Sequence, residues 1–339
     1  MRIALDAMGG DHGHQELVSG AVLACKEQNL QVTLVGDEGV LKSHLDSLQL
    51  SSSILARIEI AAASQVVTMG ESPVESIRKK KDSSIMVAFD LHRRGEASAV
   101  VSAGNSGATM AAGVRKMGRI KGISRPGIAS SFPTLKKPVV MMDVGANVDC
   151  RARHLYQFAV MATAFSHVFE IERPKVGILS IGEETGKGNS LVKETHAMLS
   201  ESSLNFIGNV EGRDVFQGDV DVIVCDGFVG NICLKISEGL AESAMKMVKE
   251  EVVKSWAAKV GYLLARPAFK RFRKKVDYAE YGGAPLLGIN GVGIICHGKS
   301  NACAIKNAVI EAAQMIDTGV NEKIVSYLSN NKVGMEVAS

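Results

Sequence analysis

The chain has 339 residues, 46% hydrophobic and 22% charged, enough for one large α/β domain or two smaller ones around a sizeable core. Aromatics at 5% argue against a protein that stacks nucleic-acid bases, and a net charge of +3 leaves any anion binding to local clusters. The six cysteines, Cys25, Cys150, Cys225, Cys233, Cys296 and Cys303, form no C-x-x-C pair, so no zinc knuckle or dithiol motif is visible and a reducing cytoplasm is expected.

The first six residues reach Asp6 too soon for the apolar core of a signal peptide. Residues 2–7 read as a strand, followed by the loop Met8-Gly9-Gly10-Asp11-His12-Gly13 and a helix with Leu17, Val18, Ala21, Val22 and Cys25 on one face. Residues 32–36 and 57–61 are further strands. Ser72-Pro73-Val74-Glu75 predicts a helix start, with Ser72 as N-cap and Glu75 closing a capping box. Five more strands each run into a Gly/Asn/Asp-rich loop and then a helix. They cover residues 98–103, 138–144, 175–181, 220–225 and 292–296.

The helix beginning near Asn231 is unusually long. It is expected to run past Trp256 toward Ala265 with a break at Pro267, giving a protruding helical hairpin over residues 240–278, between the last two of these strands. No uncharged apolar run reaches the roughly 20 residues that span a bilayer. Apolar strands separated by helices predict a three-layer α/β/α architecture with a largely parallel sheet, one domain over residues 1–339. In such a sheet the loops gather at the carboxyl ends of the strands, where ligands bind.

Helix N-termini present unpaired N–H groups and favour anions, and glycine lets backbone approach a ligand. The loops therefore make a candidate anion site from residues 9–12, 104–107, 187–189 and 230–231. Each loop taken singly also reads as no more than a tight turn. Known nucleotide motifs are missing. Gly182 to Lys187 has the wrong spacing for a P-loop and lacks the following Ser or Thr, and no G-x-G-x-x-G follows the first strand. No G-x-S-x-G nucleophile elbow occurs either.

The loops as a set resemble the PlsX family of phosphate acyltransferases. The motifs are Asp6-Ala7-Met8-Gly9-Gly10-Asp11, Ser102-Ala103-Gly104-Asn105-Ser106-Gly107 and Asp143-Val144-Gly145-Ala146-Asn147-Val148-Asp149-Cys150. They continue as Ile181-Gly182-Glu183-Glu184 with Lys187-Gly188-Asn189, then Gly208-Asn209-Val210-Glu211-Gly212, Asp226-Gly227-Phe228-Val229-Gly230-Asn231, and Glu280-Tyr281-Gly282-Gly283-Ala284-Pro285-Leu286-Leu287-Gly288. They span nearly the whole chain in order. His14, Ser106, Thr109 and Ala162 depart from the usual pattern without removing a charged loop residue.

The resemblance implies transfer of a long-chain acyl group from acyl-[acyl carrier protein] to inorganic phosphate. The acyl phosphate would then feed a membrane glycerol-3-phosphate acyltransferase. It also implies a homodimer and a fold related to phosphate acetyltransferases and isocitrate-dehydrogenase-like enzymes. Phosphate is itself the nucleophile, so the enzyme has to orient it and stabilise the oxyanion. Lys187, Asn231, His12 and Asn105 are the catalytic candidates. Asp6, Gly9, Gly10, Asp11, Gly104, Ser106, Gly107, Asn147, Glu183, Gly188, Asn189, Gly230 and His297 are the substrate-binding candidates. His12 or His297 is a candidate proton donor to the leaving thiolate. The asparagines read equally as helix caps, and Asp143 as an anchor of loop backbone. No metal and no cofactor is expected, because the thioester already supplies the driving force.

Two other enzyme readings stay open: a short-chain phosphate acetyl- or butyryltransferase using coenzyme A, and a metal-dependent NAD(P) dehydrogenase. A non-catalytic adaptor is the third. Between Val252 and Val276 no residue is acidic and eight are basic. Trp256, Val260, Leu263 and Leu264 share one helical face, and Phe269 and Phe272 are expected to continue it after the proline. That pattern suits the anionic inner face of the cell membrane, with peripheral attachment of a cytoplasmic protein; it also suits packing against a dimer partner.

Overall fold

The computed structural model describes residues 1–276 and 282–330; Glu280, Tyr281 and hairpin positions 277 and 278 lie outside the described residues. The strands are β1 (Arg2–Asp6), β2 (Gln31–Gly36), β3 (Ile58–Ala62), β4 (Ala99–Ser102), β5 (Gly127–Phe132), β6 (Val139–Met142), β7 (Val176–Leu179), β8 (Phe206–Val210), β9 (Val222–Val224), β10 (Ala284–Leu287) and β11 (Gly293–Ile295). The helices are α1 (His14–Glu27), α2 (Glu38–Ser47), α3 (Ser52–Leu55), α4 (Pro73–Lys79), α5 (Ser84–Arg93), α6 (Ser106–Met117), α7 (Ala152–Ser166), α8 (Ser190–Ser200), α9 (Gly227–Lys254), α10 (Trp256–Val276), α11 (Ala302–Asp317) and α12 (Val320–Asn330).

All the strands join one sheet, in the order β3-β2-β1-β4-β11-β10-β5-β6-β9-β7-β8. Successive side chains alternate between its faces. Ile3, Leu5, Val140, Met142, Val222 and Val224 enter one apolar cluster, while Ala4, Val139, Met141 and Ile223 enter the other. Both faces are covered, so the strands read as unbroken apolar runs. Helix α7 is buried almost all round, with Phe158 and Phe165 at its core. Each such side chain contributes roughly 1.5–3 kcal/mol.

The eight expected strands stand at their expected places. β5, β8 and β10 carry no clear strand signal, since two serines, a Gly-Asn pair and a proline interrupt their apolar pattern. They change the topology. β10 runs antiparallel to both β11 and β5, and β5 runs antiparallel to β6. The strands β3-β2-β1-β4-β11 therefore point one way and β6-β9-β7-β8 the other. The carboxyl ends of the two sets lie at opposite edges. The expectation that all the loops gather at one edge is corrected by this reversal.

Two further expectations need correction. The Ser72 side chain makes no cap hydrogen bond and Glu75 pairs with Lys79 one turn on, so there is no capping box. Pro267 does not break the hairpin. The chain turns at Ser255, which is extended (φ −127°, ψ 136°) and accepts from the N–H of Ala258 at 3.3 Å. α10 then continues through Pro267, which removes one N–H from an exposed stretch. The hairpin lies between β9 and β10. Within α9, Gly227 and Gly230 are buried and no residue beyond them is.

Helix α11 carries a buried carboxylate. Glu311 accepts from the Gly283 N–H at 3.2 Å, where the chain returns to β10, and burial pushes its carboxyl up to about 8. A raised folded-state value means stability is fully present below the ordinary carboxylate range and is lost as pH rises through about 8. Urea unfolding of the wild type should therefore lose about 2–3 kcal/mol between pH 6 and pH 9 from this group. Glu311→Gln should flatten that decline. Identical pH slopes for the two proteins would remove Glu311 as its source.

Candidate active site

Two buried carboxylates organise the loops, one in each half of the sheet. Asp143, after β6, is fully buried. It accepts from the N–H groups of Ile128 (3.1 Å), Ala146 (3.0 Å) and Asn147 (2.7 Å) and from the Asn147 side chain (2.9 Å). Burial pushes its carboxyl up, and these hydrogen bonds pull it back. Asn147 also donates to the Pro126 carbonyl at 2.8 Å. The start of α9 packs directly on this loop. A Cβ on Gly227 would meet the Asn147 backbone at 2.7 Å, and one on Gly230 would sit 1.9 Å from the Asp143 carbonyl oxygen.

In the other half, Asp6 at the end of β1 accepts from Ser102 Oγ at 2.8 Å, and Ser102 Oγ accepts from the Gly104 N–H at 3.1 Å. Burial raises the Asp6 carboxyl as well. The loops after β1 and β4 are in backbone contact: a Cβ on Gly9 would lie 2.6 Å from the Gly104 nitrogen. The Asp11 N–H donates to the Gly298 carbonyl at 2.7 Å, which adds the loop after β11 to the cluster.

A cleft of about 2030 Å³ joins the two clusters beneath α9 and α10. Gly145 and Asn231 line one part of it, and Asp11, Ser106 and His297 another. Ile128, Ser130 and Phe132 of β5 form part of its wall, and Leu234, Met245, Val248, Val252 and Phe269 come from the hairpin. The rim is basic, with Lys235, Lys246, Lys249, Lys259, Arg266 and Lys270. Glu238, half-buried on α9, faces the same space. Burial raises its carboxyl, and the nearby His297 and Lys235 oppose that rise.

The expected site residues divide accordingly. Asp11, Ser106, Asn231 and His297 share the cleft. Gly9, Gly10, Gly104 and Gly230 hold close backbone contacts around it, Gly107 packs on the Pro73 side chain, and His12 is exposed beside Asp11. Asp6 and Asn147 hold loop backbone. Asn105 caps α6 through the Ala108 N–H (3.0 Å) and donates to the carbonyls of Met69 and Glu71 (3.0 Å each), so its side chain already has partners. Asn189 caps α8 through Val192.

Lys187, Glu183, Gly188 and Asn189 stand on the loop after β7 and are not among the cleft-lining residues. Lys187 is exposed, and Glu183 faces Arg213 at 3.5 Å. The first turn of α9 offers little to an anion. The Gly227 N–H donates to the Asn147 carbonyl, and those of Phe228 and Val229 donate to Asp226. Sequence reasoning missed Glu238, Lys235 and the β5 wall, because none of them sits in a glycine-rich loop.

The hairpin residues also separate into two faces. Trp256, Leu263 and Leu264 are 80%, 65% and 79% exposed, and Val260 is exposed beside them. Because α10 is continuous through Pro267, Phe269 comes about 220° round the helix from Trp256 at roughly 100° per residue. Phe269 and Phe272 line the cleft instead of extending the exposed stripe, and Phe269 packs on Tyr262 with ring centroids 4.9 Å apart. No described helix is long and apolar enough to cross a membrane.

Residues 1–323 match the family model described as "Fatty acid synthesis protein". The phosphate acyltransferase of Pelobacter propionicus is 54% identical over 334 residues, covering 98% of this chain and 96% of that protein. That of Geobacter sulfurreducens is 54% identical over 331 residues, covering 97% and 94%. Among solved structures, a phosphotransacetylase from Streptococcus pyogenes superposes with a TM-score of 0.65 at 19% identity, covering 94% of each chain. A branched-chain phosphotransacylase from Enterococcus faecalis gives 0.56 at 14% identity, covering 93% of this chain and 99% of that one. At these identities the structural likeness establishes the fold, as the sequence resemblance implied.

Proposed function

The chain belongs to the PlsX family of fatty acid synthesis proteins, the phosphate acyltransferases, and on that premise we propose that it transfers a long-chain acyl group from acyl-[acyl carrier protein] to inorganic phosphate. It is an acyltransferase. Its product on this reading is an acyl phosphate destined for phospholipid synthesis.

The observation that carries the long-chain reading is the cleft. Its volume of about 2030 Å³ exceeds the roughly 300–1,000 Å³ typical of small-ligand sites. Polar groups at the loops and apolar side chains along α9 and α10 suit a molecule with an anionic head and a long tail. A phosphate oxygen attacks the thioester carbonyl carbon, charge develops on the carbonyl oxygen, and the C–S bond breaks to release thiolate. The chain's contribution is orientation and donors aimed at that charge. Asn231 and Ser106 are the side chains best placed to hold phosphate in the cleft, and Lys187 is kept as a proposed phosphate contact from its motif.

Purified protein given hexadecanoyl-carrier thioester should release thiol only when phosphate is present. It should also yield an acyl phosphate that hydroxylamine traps. The activity should survive chelator treatment and need no nucleotide. Faster turnover of acetyl-coenzyme A would favour the short-chain reading, and a requirement for NAD(P) or a divalent metal would overturn acyl transfer.

A homodimer and a membrane-facing hairpin tip belong to the same proposal. Ile232, Ile236, Leu240 and Met247 form an exposed apolar stripe along α9, which suits pairing with a second copy. Trp256, Val260, Leu263 and Leu264 with the neighbouring basic residues suit an anionic bilayer surface, at about 1 kcal/mol per basic residue. Such attachment would hold a poorly soluble product near a membrane glycerol-3-phosphate acyltransferase. Leu263→Glu/Leu264→Glu should cut co-sedimentation with anionic vesicles about 10-fold or more while the dimer and its activity persist. Undiminished vesicle binding by that folded variant would rule out the tip as the anchor.

A further inference from the structure

Away from the cleft, a basin of about 450 Å³ lies between α1 and α2, lined by His14, Gly39, Val40, Ser43, His44 and Ser47. His14 is the first residue of α1 and His44 stands in the last turn of α2, and both are half-buried. Their rings meet edge to face, with centroids 5.2 Å apart and planes at 83°. His44 Nε2 is buried and has no hydrogen-bond partner. An unsatisfied buried polar nitrogen costs about 1–3 kcal/mol, and here the packing supplies nothing to offset it.

Burial and the neighbouring His44 both lower the affinity of His14 for a proton, which favours the neutral ring that a metal ion requires. Zinc–nitrogen bonds of about 2.0–2.1 Å at a tetrahedral angle put two ring centres about 5.2 Å apart. That is the separation observed. The terminal torsion of histidine is broad, so each ring can turn a nitrogen toward a shared point without moving backbone. The basin has room for an ion and its waters. Among the described residues no cluster of three or more His, Cys, Asp or Glu side chains forms, so water has to complete the coordination. Hard cations such as Mg²⁺ prefer oxygen ligands, whereas imidazole suits zinc, copper and nickel.

We propose that His14 and His44 bind one divalent transition-metal ion of the zinc class, with water filling the rest of a tetrahedral site. The ion pins the first turn of α1 to the last turn of α2. Neither histidine lines the cleft, so the ion takes no part in acyl transfer, and the site stands whether or not that activity does. His14 is one of the positions at which the chain departs from the usual family pattern, which makes the site a property of this chain.

The test titrates metal-stripped full-length wild type, His14→Gln and His44→Gln with Zn²⁺ by calorimetry, and with Co²⁺ by visible absorption. Wild type should take up one Zn²⁺ that an excess of Mg²⁺ does not displace, and its Tm should rise with Zn²⁺. Each glutamine variant should bind that ion about 100-fold or more weakly, since even a lost outer-shell partner costs 10–100-fold. The variants should match wild type in metal-free Tm and lose the response to Zn²⁺. Co²⁺ should give a tetrahedral spectrum without the intense thiolate band that a cysteine ligand adds.

Unchanged Zn²⁺ affinity in either folded variant, a thiolate band in wild type, or no Zn²⁺ uptake at all would overturn the proposal. If a variant fails to fold, ¹⁵N NMR of the wild type decides. Zn²⁺ should shift the ring nitrogens of His14 and His44 and leave those of His92, whose Nε2 accepts from the Val292 N–H at 3.1 Å, where they are. Unmoved His14 and His44 signals would equally overturn it.

Discussion

β10 runs against both of its neighbours and β5 runs against β6, and the placement of the site follows from the net reversal that these three antiparallel pairings produce. Parallel strands send their loops to one edge, whereas two opposed parallel sets send them to two. A ligand site that draws on both sets needs a bridge across the sheet. α9 supplies it. It starts against the Asp143 loop, where Gly227 and Gly230 permit backbone contact, and by Glu238 it has come within electrostatic reach of His297. The cleft beneath α9 and α10 is the space this crossing encloses. Glu311, buried behind it, holds the chain where it returns to β10.

The two buried aspartates show how the same chemistry was used twice. A carboxylate taken out of water is destabilised unless several donors surround it. Asp143 collects backbone N–H groups from its own loop and from Ile128, while Asp6 collects Ser102 and the Met8 N–H. Each thereby ties a strand end to its neighbour. The glycines next to them permit close backbone packing as much as they would permit a ligand's approach. Asn105 illustrates the distinction. Its carbonyl oxygen caps α6 and its amide holds the Met69–Glu71 turn, so its prominence in a motif reflects loop architecture.

Much of the fold was legible in the sequence because apolar runs and helix caps are local signals. Eight strands, the long α9 and the mostly parallel sheet follow from them. β5 and β10 were not legible: Ser130 and Ser131 in one and Pro285 in the other blur the pattern, and their antiparallel pairing is a long-range fact that no local signal encodes. The consequences are large, since the reversal sends the loops after β1, β4 and β11 and the loops after β6, β9 and β7 to opposite edges, and β5 brings Ile128 and Phe132 into the cleft wall. The phase of α10 is not legible for a similar reason. A proline marks a probable kink, but a helix that continues through it keeps its rotation, and Phe269 arrives on the side opposite Trp256. Site residues in loops were found by their composition. Glu238 was not, because one acid on a charged helix looks like ordinary surface until the helix is known to cross the sheet.

The central claim is that one cleft takes a single ligand between loops from the opposed halves of the sheet. Hydrogen exchange with a non-hydrolysable long-chain acyl phosphonate tests it most directly. Exchange should slow together in residues 143–147 and in residues 297–301, and along residues 234–252 only for long-chain ligands. Slowing confined to one loop cluster, or identical protection of residues 234–252 by phosphonates of every chain length, would contradict it.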